Sequence, residues 1–163
     1  MYTVEHFVAS FEKETALCIN LFGKMPPGGL DYRPTPSQRS TLELLRYLCF
    51  GPYNTVRRVV GGDWSLGRPA GEVTRDWPAS DFPLKMRWQA DEVARLVRAA
   101  NPVDLLEKEM TFPWGDTLKR GQALVTYPLN WLSSYRMQLF LYLKAAGAAQ
   151  LSTPDIWHPP KAS

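Results

Sequence analysis

The sequence predicts an all-α protein, a four-helix bundle with one long connection. Apolar residues recur at helical spacing in four segments, and glycine and proline residues separate these segments. A stretch without helical period lies between the second and third segments. With 163 residues, of which 45% are hydrophobic and 21% charged, the chain is long enough for one core and too short for two. We therefore expect a single domain over residues 1–163.

The first two helices have the clearest boundaries. An apolar stripe over residues 3–22 ends at Gly23 and predicts the first helix. The second begins at an S-x-x-E capping box, in which the side chains of Ser40 and Glu43 accept hydrogen bonds from backbone N–H groups at the helix start. Pro52 follows a glycine inside this second segment and predicts a kink or a local break.

The second half of the chain predicts two more helices, over residues 83–100 and 117–146, and Pro128 should bend the later one. The connection over residues 61–80 is long enough to run back along the bundle. Helices two and three can then lie parallel, in an up-down-down-up arrangement, although length alone also permits simple alternation. We expect residues 101–116 to be extended and partly packed.

Composition argues against several classes of protein. The 19 basic and 16 acidic residues give a net charge of +3, but no run of five or six like charges occurs, so nucleic-acid binding has no specific support. No apolar stretch reaches the roughly 18 residues that span a bilayer, and we expect a soluble, cytoplasmic protein. Cys18 and Cys49 lie inside apolar helical segments, which favours buried small side chains over a disulfide, a zinc site or reactive thiols.

Four short motifs occur in a fixed order along the chain. They are DYRP at residues 31–34, Ser40 with Tyr47 seven residues later, PWG at 113–115 and YRMQL at 135–139. In this order and with these gaps they resemble the DinB-like superfamily. The resemblance implies a four-helix bundle, frequent homodimers and, in the metal-binding members, a divalent metal held by three histidines. It also implies metal-dependent transferase or isomerase chemistry with low-molecular-weight thiols.

The resemblance places the three metal-ligand positions at Tyr47, Trp131 and Tyr135, and none of them is a histidine. An indole has no lone pair suited to coordination, and a phenol binds a divalent metal only after losing a proton whose reference pKa is ~10. A zinc or nickel site needs at least three N, O or S ligands. We therefore expect no metal and no cofactor. The two histidines, His6 and His158, are interpreted as a solvated residue and as part of a tail that lies on the bundle.

The candidate ligand-pocket residues are Tyr47, Trp131, Tyr135 and Arg136, and no catalytic residue can be named. Two interpretations stay open: the rings simply fill the core, or the two phenols still face a small pocket. If Arg136 is buried, it needs a carboxylate or carbonyl partner, because an unpaired buried charge is costly.

The favoured function is a metal-free DinB-like bundle that binds a small ligand or a protein partner without catalysis, and a homodimer is expected. The alternative is a thiol-dependent transferase or a hydrolase-type enzyme that uses Tyr47 or Tyr135 as a hydrogen-bond donor or general acid. No base is visible to complete such a site, so the sequence leaves the question of enzymatic activity open.

Overall fold

The computed structural model describes residues 3–158, and most of them are helical, as predicted. The α-helices of this part of the chain are α1 (Val4–Phe22), α2 (Thr41–Leu48), α3 (Gly51–Gly61), α4 (Ala70–Val73), α5 (Phe82–Ala99), α6 (Pro102–Glu107), α7 (Arg120–Leu124), α8 (Asn130–Ala145) and α9 (Pro154–Trp157). Short 3-10 helices cover Gly29–Asp31 and Ala79–Asp81, and a π-helical turn covers Val125–Leu129. The antiparallel strands β1 (Glu109–Thr111) and β2 (Thr117–Lys119) form a small hairpin.

The start of α2 and the break after it both confirm the sequence prediction. Glu43 N–H donates to Ser40 Oγ at 3.2 Å, and Ser40 N–H donates to Glu43 Oε2 at 2.8 Å, which completes the capping box. The helix ends at Leu48, and α3 begins three residues later with Gly51 and Pro52 at its first positions. Proline is tolerated there because the first turn of a helix needs no N–H donor.

The longer helices of the described residues pack against one another around the core. Helix α1 packs against α5 and α8, α2 packs against α8, and α3 packs against α5. At one end of the α1–α5 pair, Arg98 forms an ion pair with Glu5 at 2.8 Å. At the other end, the Phe22 and Phe82 rings lie 5.2 Å apart. The buried residues between these helices are almost all apolar, so burial of hydrophobic surface stabilises the assembly.

A buried arginine connects the last long helix to two other elements. Arg136 of α8 is 3% exposed, and its Nε donates to Glu14 Oε2 of α1 at 2.5 Å. Its NH1 group donates to the carbonyl of Ile156 in α9 at 2.6 Å. The expected carboxylate and carbonyl partners are therefore both present. Ile156 is itself buried, so the tail lies on the bundle at this residue, as predicted; His158 is exposed, and Pro159 and Pro160 lie outside the described residues.

The predicted extended segment at residues 101–116 is only partly confirmed. Pro102 begins the short helix α6, because the side chain of Asn101 caps it by accepting from Val103 N–H at 2.9 Å. The fourth helix does not begin at residue 117 as predicted. Thr117 instead pairs with Thr111 in the hairpin, and α7 begins three residues later at Arg120.

Pro128 lies in the π-helical turn that joins α7 to α8. A proline has no N–H to donate within a helix, and a π-helical turn is one known way to accommodate the lost hydrogen bond. The irregular connection over residues 61–80 holds the short helix α4, which the sequence prediction missed.

Both cysteines are buried, with 0% exposure for Cys18 and 3% for Cys49, as the sequence predicted. Burial raises the pKa of each thiol well above its usual range, so neither is a reactive thiolate at neutral pH. Among residues 3–158, no helix is long and apolar enough to cross a lipid bilayer.

Candidate functional site

The structure brings the three predicted positions Tyr47, Trp131 and Tyr135 into one cluster. The ring of Tyr47 lies 4.7 Å from that of Trp131 and 5.1 Å from that of Tyr135, with interplanar angles of 62° and 82°. The Trp131 and Tyr135 rings lie 5.7 Å apart at 71°. All three contacts are edge-to-face, which is the favoured arrangement for aromatic rings. Helix α2 supplies one ring and helix α8 supplies two, four residues apart on one helical face.

Gly51 makes room for this cluster. A Cβ atom at this position would lie 2.1 Å from the Cη2 atom of the Trp131 indole. No larger residue fits unless the indole moves. The indole therefore packs directly on the backbone at the start of α3, where the chain has just broken from α2. From the sequence alone, this glycine is expected only to take part in the helix break.

Beside the cluster lies an open cleft of about 510 Å³. Six aromatic side chains contribute to its walls, namely Tyr47, Trp64, Trp114, Tyr127, Trp131 and Tyr135. The polar contributors are Asn54, Thr55, Arg58, Thr126, Asn130 and Ser134. We call this space the aromatic cleft. Pockets of this volume, with mostly apolar walls and a few polar groups, are typical of small-molecule sites.

The far wall of the aromatic cleft comes from the hairpin turn and the π-helical turn. Trp114 Nε1 donates to Tyr127 Oη at 3.0 Å and to Asp116 Oδ2 at 3.1 Å, and the Tyr127 hydroxyl also donates to Asp116. The hydrogen bond with Asp116 raises the pKa of Tyr127 above its ordinary value. These bonds fix both rings, whose centroids lie 5.1 Å apart. The PWG motif had drawn attention to Trp114, but nothing in the sequence placed Tyr127 opposite it.

The connection between α3 and α5 forms a third wall. Trp64 packs edge-on against Trp114 at 5.1 Å, and the Arg58 guanidinium lies 4.6 Å from the centre of the Trp64 ring. Arg58 also donates to the carbonyl of Leu66 at 2.9 Å, which ties this connection to α3. Asn54 is 4% exposed, and its Nδ2 donates to the carbonyl of Arg68 at 3.0 Å. The long connection is therefore a structured wall.

The electrostatic state of Tyr47 follows from its surroundings. Burial, and to a lesser extent the neighbouring Tyr135 phenol, raises the pKa of Tyr47 to about 12. The Arg39 guanidinium lies 4.0 Å from the centre of the Tyr47 ring and opposes this shift only in part. At neutral pH the phenol is therefore protonated and can donate a hydrogen bond, but it cannot serve as a base.

The residues of the aromatic cleft do not fit a divalent metal. Among residues 3–158, the lining of this cleft includes no His, Cys, Asp or Glu side chain. Within the same range, no group of three such side chains is arranged to hold a metal ion. A neutral phenol and an indole are poor ligands for zinc, nickel or iron. We therefore derive no reaction step through a metal.

Arg136, the fourth predicted pocket residue, does not line the aromatic cleft. Its guanidinium points to Glu14 and the carbonyl of Ile156, because a buried charge must be paired. Position 136 directly follows Tyr135, and consecutive residues of a helix point in different directions. The helical period of the sequence could therefore have predicted that Arg136 does not face the same space as Tyr135.

These features define a helical protein with an aromatic cleft between its helices. A solved structure with the same fold is that of YjoA, a DinB-like protein from Bacillus subtilis, with a TM-score of 0.65 and 16% sequence identity. The match covers 86% of this chain and 91% of that chain. At this identity the likeness concerns the fold alone. No protein-family model matches the chain, and no curated protein matches it either.

We expect a Gly51→Ala substitution to destabilise the protein by about 1–3 kcal/mol, because the added methyl group overlaps the Trp131 indole. Urea denaturation gives the free energy of unfolding. Gly71→Ala is the matched control, since a Cβ there meets nothing within 4 Å. In a Trp131→Ala background, Gly51→Ala should reduce the free energy of unfolding much less than it does in the wild type. An equal reduction in both backgrounds would contradict the proposed contact.

The pKa of Tyr47 predicts a loss of stability at high pH. Its folded pKa of about 12 exceeds the unfolded value of ~10, so the folded state holds an extra proton across this interval. This contribution is fully present below pH ~10 and is lost as the pH rises towards 12. The free energy of unfolding should fall more steeply from pH ~10 upwards in the wild type than in Tyr47→Phe. If the free energy of unfolding has the same slope against pH in the wild type and in Tyr47→Phe, the raised pKa of Tyr47 is contradicted.

Proposed function

We propose that this protein binds a small molecule with an apolar, preferably aromatic, portion in the aromatic cleft, and that it does so without a metal. The observation that carries the proposal is the cleft itself, about 510 Å³ in volume, with Tyr47 and Tyr135 both in its walls. If the rings served only to fill the core, they would pack without an open space beside them. A concave site of this size suits a small ligand better than the surface of a partner protein.

The walls offer two kinds of contact to such a ligand. Trp64, Trp114 and Trp131 present large aromatic faces from three different segments of the chain, so a flat ring can stack on one and meet the edge of another. Asn130 and Ser134 line the cleft one helical turn apart on α8. The Ser134 hydroxyl donates to the backbone carbonyl of Asn130 at 2.8 Å, so its oxygen can accept a hydrogen bond from a polar substituent, and the Asn130 amide can orient one as well. The protonated Tyr47 phenol adds a further hydrogen-bond donor.

Binding is favoured over catalysis by the chemistry of the lining residues. A transferase or hydrolase site would need a group that accepts a proton near neutral pH. Tyr47 holds its proton up to a pKa of about 12, and the described lining residues contribute no carboxylate, imidazole or thiol. A Tyr-lined enzyme is the alternative, and activity that survives simultaneous Tyr47→Phe and Tyr135→Phe changes would count against it.

We extend the proposal to an up-down-down-up bundle of four helical units, namely α1, α2 with α3, α5, and α7 with α8. The Glu5–Arg98 and Phe22–Phe82 contacts support opposite directions for α1 and α5. Two contacts in the same chain order support a parallel course of the second unit, α2 with α3, and α5: Cys49 Sγ lies 4.0 Å from the carbonyl oxygen of Phe82 at the start of α5, and Tyr53 N–H donates to Gln89 Oε1 further along both. This arrangement sets the aromatic cleft between the second unit and the last.

A two-fold dimer is a separate proposal. Leu84, Leu106 and Leu141 are 65%, 61% and 56% exposed, and such apolar surface favours association. We expect light scattering at low micromolar concentration to give twice the mass of one 18.5 kDa chain. A monomer mass at that concentration would contradict the dimer and leave the cleft unaffected.

The probe for the aromatic cleft is 1-naphthol, a two-ring compound that is neutral at pH 7. We expect calorimetric titration to show saturable binding to the wild type. Ser134→Trp adds an indole to the lining of the cleft and should weaken binding at least about tenfold. Met137→Trp places the same side chain at an exposed position of α8 that does not line the cleft, and it should bind 1-naphthol as the wild type does.

A second measurement tests the metal-free part of the proposal. Elemental analysis of protein purified without chelator should give well under one equivalent of zinc, nickel, iron or manganese, and treatment with EDTA should leave the binding of 1-naphthol unchanged. A stoichiometric ion held at Tyr47 or Tyr135 would overturn this part. Equal binding to Ser134→Trp and to the wild type would overturn the cleft itself.

A further inference from the structure

A second cleft lies on the other side of Tyr47 and has the opposite chemical character. Its volume is about 490 Å³, and four arginines line it, Arg33, Arg39, Arg46 and Arg75, together with the single carboxylate of Glu43. We call it the arginine cleft. Three segments supply these arginines: the loop before α2, α2 itself and the residues after α4. The charges therefore converge through the fold and form no run in the sequence.

Glu43 is the one carboxylate among the described residues that line the arginine cleft, and it is already engaged. Glu43 pairs with Arg33 at 2.9 Å and accepts from the backbone N–H of Ser40 in the capping box. Bonding to Ser40 and the charge of Arg33 hold the pKa of Glu43 below its ordinary value, so it stays ionised. The carboxylate can balance only one of the four guanidinium groups.

The other three arginines have no carboxylate within ion-pair distance among residues 3–158. The Nε–H group of Arg46 donates a hydrogen bond to the carbonyl oxygen of Trp77 at 2.8 Å. This bond fixes the position of the Arg46 guanidinium, but a neutral carbonyl does not balance its charge. Arg39 lies over the Tyr47 ring. Arg75 makes no ion pair or hydrogen bond with the described residues, and it is exposed at the edge of the cleft. Like charges that converge without counter-ions repel one another, and an oxyanion would relieve that repulsion.

Arginine suits oxyanions because its planar guanidinium donates two parallel hydrogen bonds to a phosphate or a carboxylate. The start of α2 contributes little to such a site, since its first backbone donors already bond to Glu43, Ser40 and the Tyr32 carbonyl. Thr74 is no free donor either, because its hydroxyl donates to the carbonyl of Ala70 at 2.9 Å. The guanidinium groups therefore carry the recognition.

The two clefts meet at the same residues. Tyr47 lines both of them, Ala70 lines the aromatic cleft, and the next residue, Gly71, lines the arginine cleft. The guanidinium carbon of Arg39 lies 4.0 Å from the centre of the Tyr47 ring, so a positive charge lies at the boundary between the two clefts. We infer that the arginine cleft binds the phosphate or carboxylate of the same small molecule whose aromatic portion lies in the aromatic cleft. This inference rests on the proposed function and adds the anionic class of the ligand.

The test compares 1-naphthyl phosphate and 1-naphthylacetate with neutral 1-naphthol by calorimetric titration at fixed ionic strength. Both anions should bind at least about tenfold more tightly than 1-naphthol, and inorganic phosphate should compete with 1-naphthyl phosphate. The preference of the phosphate over the acetate, or the reverse, identifies which oxyanion fits. Added potassium chloride should weaken the binding of the anions more than that of 1-naphthol.

Arg75→Gln should remove most of the preference for the anions, because it deletes a guanidinium that has no partner in the described protein and so costs little stability. Arg87→Gln makes the same change of net charge at an exposed position outside both clefts and should leave the preference intact. If Arg75→Gln and Arg87→Gln prefer the anions over 1-naphthol to the same degree, the proposal that the arginine cleft binds the oxyanion is overturned.

The outcomes separate this inference from the proposed function. If all three naphthyl compounds bind equally and Ser134→Trp weakens them all, the aromatic cleft stands and the arginine cleft is overturned. If 1-naphthyl phosphate is sensitive to Arg75→Gln but not to Ser134→Trp, the arginine cleft binds anions by itself, and the shared ligand is overturned. Tight binding of single-stranded DNA, without a preference for 1-naphthyl phosphate over 1-naphthol, would overturn a small-molecule ligand.

Discussion

The contact between the Trp131 indole and the backbone of Gly51 is the constraint on which the site depends. An indole can approach a helix start this closely only where the residue has no Cβ atom. A Cβ at position 51 would lie 2.1 Å from Trp131 Cη2, which is too close for any side chain unless the indole moves. The glycine and the following Pro52 also end one helix and begin the next, so one local feature redirects the chain and seats the ring. With Trp131 fixed there, Tyr47 and Tyr135 pack against its ring and against each other, and the three rings form the cluster.

The same burial explains the chemistry of Tyr47. A half-buried phenol keeps its proton because the phenolate would lose solvation, which raises its pKa to about 12. A protonated phenol is a poor metal ligand and a poor base, but it remains a good hydrogen-bond donor. One physical cause therefore disfavours both metal coordination and general-base catalysis, while the phenol O–H can still donate a hydrogen bond. The open space beside the rings turns this side-chain chemistry into a site.

Sequence reasoning succeeded where the determining interactions are local. Ser40 and Glu43 are three residues apart, so their capping box can be read directly from the chain, and the break at Pro52 likewise depends on its own ring. It failed at Thr117, whose strand pairing depends on Thr111 across a turn. The far wall of the aromatic cleft and the arginine cleft were missed for the same reason. Their residues come from separate segments, and nothing in the spacing shows that tertiary packing will bring them together.

Tyr47 illustrates why such a site is best understood from its surroundings. Its ring makes edge-to-face contacts with the rings of Trp131 and Tyr135, while the Arg39 guanidinium lies over its face. The negative potential of an aromatic face attracts the cation without neutralising it, so the positive charge stays available to an anion. A carboxylate at position 47 would have cancelled that charge, and an aliphatic residue would have supplied no attraction. A neutral aromatic ring can therefore join an apolar cleft to a cationic one, and the proposed common ligand would cross this boundary.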